Sequence, residues 1–183
     1  GGIPFYLSLI DPRQSLVQNV DRLFFSHGGI MRGEFDELYN ALFSNAELYI
    51  SVVKALAQHH DGMTRTEISK VIGANGGTLT RVLTNLERCD FISRSQNFGC
   101  KTKDTIYRLM DFYTLFYYKF IAQDTSRDEQ WWSHNFESRL VSTWQGLTCE
   151  IVCLMHTDCI KKALGISGMA TEVSSWRKVA DDK

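Results

Sequence analysis

Apolar residues recur at steps of three and four along most of the chain, the spacing of helices with one buried face. Between Ser15 and Phe25 the pattern puts Leu16, Val20, Leu23 and Phe24 on one side. Pro12 suits the entry to that helix, and His27-Gly28-Gly29 stops it. A second helix is predicted over about 31–43, with Phe35, Leu38, Tyr39 and Leu42 inward. A third covers about 45–60, with Leu48, Val52, Ala55 and Leu56 inward and Asp61-Gly62 closing it.

The next stretch is more specific. Thr64 is followed three residues on by Glu67, the signature of a capping box. It opens a short helix, Arg65 to Ile72, whose inward positions are Ile68, Val71 and Ile72. Gly73-Ala74-Asn75-Gly76-Gly77 is a turn, and a helix over about 78–89 follows with Leu79, Val82, Leu83 and Leu86 inward. Helix, short turn, helix is the helix-turn-helix order. Phe91 to Ser95 and Asp104 to Met110 then read as strands flanking a tip at Asn97 to Lys101. Three helices and a hairpin make a winged helix-turn-helix, and the fold class is mainly α with a small β-hairpin.

Beyond Asp111 the pattern is helical and aromatic, with Phe112, Tyr113, Phe116, Tyr117 and Phe120 at helical spacing. Such a stripe is core or a domain interface. A polar connector spans 123–128. An amphipathic stretch runs from Trp131-Trp132 to Val141, and a long helix is expected over about 143–164 with Leu147, Ile151, Leu154 and Met155 on one face. Thr171 to Val179 reads as a strand.

Composition narrows the class. Of 183 residues, 44% are apolar and 22% charged, a globular mix, and no apolar run approaches the roughly 20 residues of a membrane span. Five cysteines make neither a paired framework nor a CxxC motif. A reducing, cytoplasmic setting is expected. The net charge is only -1. Its distribution is uneven: residues 64–108 hold 8 basic and 4 acidic side chains, while the segments on either side are net acidic. A basic island on a helix-turn-helix is where a polyanion would bind.

The outer face of the second helix of the motif shows Thr78, Thr80, Arg81, Thr84, Asn85 and Arg88. Threonine and asparagine reach base edges or phosphates, and arginine pairs with guanine or clamps a phosphate. The wing adds Arg94, Lys101 and Lys103 as phosphate contacts. The same surface also suits a winged helix that docks a protein, and the sequence leaves both readings open.

Other chemistry is sparse. Cys149, Cys153 and His156 share a helix face, but positions 149 and 156 are about 10 Å apart along the axis, too far for one tetrahedral zinc ion. No metal site is expected. His59-His60 at a helix end suits the helix dipole. No GxxxxGK[ST] is present, so no P-loop of this chain binds a nucleotide.

Gly1-Gly2-Ile3-Pro4-Phe5-Tyr6-Leu7 resembles the GGxPxYL motif that follows the core of a family of archaeal and bacterial AAA+-like ATPases. Gly76-Gly77-Thr78-Leu79, Ile106-Tyr107-Arg108-Leu109-Met110-Asp111-Phe112 and Phe116-Tyr117-Tyr118-Lys119-Phe120 resemble the recognition helix, wing exit and following helix of the same family. The resemblance implies a lid remnant over 1–43, a winged helix over 44–110 and the start of a PD-(D/E)XK nuclease-like α/β portion over 111–183. It implies ATP and Mg²⁺ only for the parent family, with no cofactor in this chain. Glu150, in Gly146-Leu147-Thr148-Cys149-Glu150, is the one nuclease-like acid it carries over. One glutamate cannot assemble a phosphodiester-cleaving metal site, so no complete catalytic site is expected. The start at Gly1 and the end at Lys183 are read as those of a piece of a longer chain.

Three functions follow as expectations. The first is a C-terminal ATPase region whose winged helix binds double-stranded DNA. The second is a docking module for the ATPase core or another protein, using the aromatic stretch 112–132. The third is a stand-alone winged-helix transcriptional regulator.

Overall fold

The computed structural model describes residues 4–96 and 105–170, and it is mainly helical with one small antiparallel sheet. In order, the helices are α1 (Pro4–Ser8), α2 (Leu16–Val20), α3 (Ile30–Leu42), α4 (Ala46–Ala57), α5 (Arg65–Ile72), α6 (Gly76–Arg88), α7 (Phe112–Phe116), α8 (Trp131–Asn135), α9 (Arg139–Met155) and α10 (Thr157–Ala163). The strands are β1 (Met63–Thr64), β2 (Ile92–Gln96) and β3 (Thr105–Leu109). Two π-helical turns, Asp21–Phe25 and Tyr117–Ile121, follow α2 and α7.

The chain divides into two units, one built from residues 4–35 and 120–170, the other from 36–96 and 105–119. The second is the winged helix. Its sheet runs in the order β1-β3-β2 with both pairings antiparallel. Ile92 stands opposite Leu109 and Arg94 opposite Tyr107, which sets the hairpin register. Its core holds Tyr39, Phe43, Tyr49, Val52, Leu56, Ile68, Leu79, Leu86, Phe91 and Ile106, all buried. The rings of Phe43 and Tyr49 stack at 3.9 Å.

The helix-turn-helix forms for the local reasons visible in its sequence. Thr64 accepts from the Glu67 amide while the Glu67 carboxylate takes the Thr64 amide, so two otherwise unpaired donors are satisfied. Gly73 ends α5 in the left-handed region, at φ 68. The inward positions Leu79, Val82, Leu83 and Leu86 of α6 are all buried. The α6 end is closed by the Phe91 amide bonding to the Leu86 carbonyl at 2.9 Å, with Asp90 at φ 59 between them.

The other unit is organised around aromatic rings and one buried carboxylate. Phe120 packs at 5.2–5.6 Å against Trp131, Trp132 and Trp144. Asp21, 5% exposed, accepts from the Trp132 amide at 2.8 Å and from the Ser133 amide and hydroxyl. It therefore caps α8 from a distant segment, where Gln130 makes no side-chain cap bond. Arg32 pairs with Asp124 at 3.1 Å.

Several expectations are corrected. The first helix is predicted as regular over Ser15 to Phe25, but only Leu16–Val20 is α-helical. The Ser26 amide reaches back five residues to the Asp21 carbonyl, and this extra residue per turn rotates the face. Phe25 rather than Phe24 is then buried, and Leu16 is 72% exposed. Leu42 and Val71, placed inward by spacing, are 49% and 60% exposed near the ends of their helices. The helix expected over 143–164 breaks at His156, where the Thr157 hydroxyl bonds the Leu154 carbonyl at 2.8 Å and helps to end α9. Leu154 and Met155 consequently lie exposed. The wing tip at 97–101 and the strand expected over 171–179 lie outside the described residues.

Candidate nucleic-acid interface

On helix α6, Thr78, Thr80, Arg81 and Arg88 are exposed, while Thr84 and Asn85 are half-buried. The exposed and buried sets alternate because the four leucine and valine positions hold the opposite side of the helix in the core. The N-terminal turn of α6 carries no acidic residue, and Asn75 makes no side-chain cap bond there. The only acid on the helix is Glu87, in its last turn.

Two of the expected contact residues are engaged within the protein. Asn85 donates from Nδ2 to the Tyr49 hydroxyl at 2.8 Å, which ties α6 to α4. Arg94, on β2, pairs through Nε with Glu87 Oε1 at 3.0 Å. Lys101 and Lys103 lie outside the described residues. Among the described residues no ion pair involves Arg81 or Arg88.

One cation was passed over by the reading of the recognition helix alone. Arg65, exposed at the start of α5, crosses the turn and donates from Nη2 to the Gly76 carbonyl at 2.8 Å and to Thr80 Oγ1 at 3.2 Å. Thr80 in turn donates to the same Gly76 carbonyl at 3.2 Å. Arg65 follows the Thr64 cap directly, so its place at a helix start was legible. Its partners eleven and fifteen residues away were not.

The remaining candidates are scattered. Glu150 is exposed on α9, as are Cys149 and Cys153. His156 faces its own helix, with Nδ1 2.9 Å from the Val152 carbonyl. Among the described residues no three His, Cys, Asp or Glu side chains come together as a metal-holding group. In the aromatic stretch 112–132, Phe116, Phe120 and Trp132 are buried and Tyr113, Tyr117, Tyr118 and Trp131 are half-buried. Exposed large apolar side chains are spread over several elements, among them Phe5 and Leu7 on α1, Val71 on α5, Met155 on α9 and Ile160 on α10. No helix among the described residues is long and apolar enough to cross a membrane.

A model of the MarR family matches residues 51–98. The match runs from within α4 through β1, α5, α6 and β2, so the helix-turn-helix and the root of the wing carry that family's pattern. No curated protein matches the chain. No solved structure matches it either. Nothing in these comparisons supports the ATPase lid expected over 1–43 or the nuclease-like portion expected over 111–183.

Proposed function

We propose that this chain is a double-stranded DNA-binding winged-helix protein of the transcriptional-regulator type, with α6 entering the major groove. The observation that supports this most is the coincidence of the MarR match with a helix that exposes two arginines, Arg81 and Arg88, neither paired with a carboxylate among the described residues. In a helix-turn-helix the second helix reads base edges, and flanking cations fix the register on phosphates. Arg81, with Thr80 next to it and Thr78 about one turn before it, is our candidate for the base-reading part. Thr84 and Arg88 continue that face toward the wing. Asn85 acts through Tyr49, as a residue that sets how far α6 stands out from α4. The module is assigned to residues 44–110, with Lys101 and Lys103 as wing contacts.

This reading takes the regulator in preference to the ATPase region, because the MarR family match falls on the winged helix and fits a regulator better. The test is fluorescence anisotropy of a labelled duplex titrated with protein at several salt concentrations. Binding that weakens with salt in the wild type and loses both affinity and salt slope in Arg81→Ala/Arg88→Ala is the expected result. Absence of binding at low salt overturns the proposal.

A further inference from the structure

Four arginines and a lysine of the winged helix are candidates for the DNA backbone, and the structure separates them by what holds each one. Arg94 already has a carboxylate, Glu87, at 3.0 Å. A phosphate must displace that carboxylate to gain the full charge. Arg81, Arg88 and Lys70 are exposed and form no ion pair among the described residues, so each pays side-chain ordering when it meets a ligand. Arg65 differs from both groups. Its guanidinium is held against the first turn of α6 by a backbone carbonyl and a hydroxyl, both uncharged, at 2.8 and 3.2 Å. Among the described residues no carboxylate pairs with it. Both bonds use Nη2, which leaves Nε and Nη1 as donors on an exposed, fully charged group.

We propose that Arg65 is a pre-oriented phosphate contact, binding the DNA backbone beside the point where α6 enters the groove. The proposal rests on the DNA-binding reading above and adds a contact residue from outside the recognition helix. The two neutral acceptors fix the rotamer without neutralising the charge. Binding a phosphate there orders no further side chain, and the planar fork suits two phosphate oxygens at once. Thr80 then has a second role: beyond any base contact, its hydroxyl positions Arg65.

The experiment is the salt titration with two labelled duplexes of unrelated sequence. Arg65→Gln keeps an amide donor but removes the charge. It is expected to weaken binding equally to both duplexes and to reduce the slope of log K against log salt by about 0.9, the loss of one phosphate contact. Thr80→Val leaves the charge and removes one of the two anchors, the Gly76 carbonyl remaining; affinity falls and the slope stays at the wild-type value. A wild-type slope in Arg65→Gln overturns the proposal while leaving the DNA reading intact. Failure of the wild type to bind either duplex overturns both. If Arg65→Gln does not fold, the Arg65 Nε–H resonance of the wild type decides: it moves on duplex addition if the contact exists, and an unmoved resonance overturns it.

Discussion

The hydroxyls of Tyr39 and Thr114 meet at 3.0 Å in the interior of the winged-helix unit, each residue 0% exposed. They link α3, which leads into the unit, to α7, which leads out of it. Neither bond partner can be exchanged for water, so each satisfies the other.

This pair makes stability sensitive to alkali. Burial, offset in part by the Thr114 hydrogen bond, holds the Tyr39 phenol far above its ordinary value of 10.0. The native state keeps the proton where the unfolded chain releases it. The stabilisation is therefore complete below about pH 10 and is lost as pH rises further. Melting temperature measured across that range is expected to fall steeply for the wild type and more gently for Tyr39→Phe. Tyr118, also raised by burial, keeps part of the alkaline limb in the variant. At neutral pH Tyr39→Phe costs about 1–3 kcal/mol, because it strands the buried Thr114 hydroxyl.

Asp21 is expected to be the most sensitive polar position of the other unit. Removing its carboxylate strands the Trp132 and Ser133 amides at the start of α8. Asp21→Ala should cost about 1–3 kcal/mol in urea unfolding, as for any buried donor left without an acceptor. Asp21→Asn retains one acceptor oxygen and should lie between the two. Tryptophan fluorescence reports the change directly, because Trp131 and Trp132 open that helix.

Two backbone positions should respond in opposite directions. Gly62 has φ +77, and a Cβ there would stand 2.5 Å from Ile106 Cγ2 and 2.6 Å from the Tyr107 carbonyl oxygen. Gly62→Ala should destabilise by more than the roughly 1–2 kcal/mol of left-handed strain alone, since the β1–β3 pairing must also shift. Asp90 occupies the same region at φ 59 after α6. Asp90→Gly is expected to relieve strain and raise stability by about 1 kcal/mol. Thermal melts of both variants check the signs.

The helix-turn-helix was legible because its signals are local. Thr64 and Glu67 lie within one turn, Gly73 ends the helix itself, and Leu79, Val82, Leu83 and Leu86 share one face. β1 escaped notice since two residues show no alternation. The π-turn at Asp21–Phe25 has no composition signal, and it moves burial from Phe24 to Phe25. The break at His156 lacks glycine or proline. For the candidate interface, exposure of Arg81 and Arg88 followed from the periodicity. The engagement of Asn85 with Tyr49 and of Arg65 with Gly76 depends on how the helices pack, which spacing within one helix does not encode.

The Glu87–Arg94 pair should act as a brake on DNA binding. Arg94 is 62% and Glu87 34% exposed, so the pair is worth only about 0–1 kcal/mol and a phosphate can compete for the arginine. It does so at a cost: the glutamate is then left unpaired near the negative backbone. Arg94→Ala should therefore reduce affinity less than Arg88→Ala, since Arg88 pairs with no carboxylate among the described residues. Glu87→Gln removes the competing carboxylate and should tighten binding, with the salt slope rising by up to about 0.9 as Arg94 becomes a full phosphate contact. In the Glu87→Gln background, Arg94→Ala should then cost more than it does alone. Equal costs in the two backgrounds would show that Arg94 reaches phosphate without regard to Glu87.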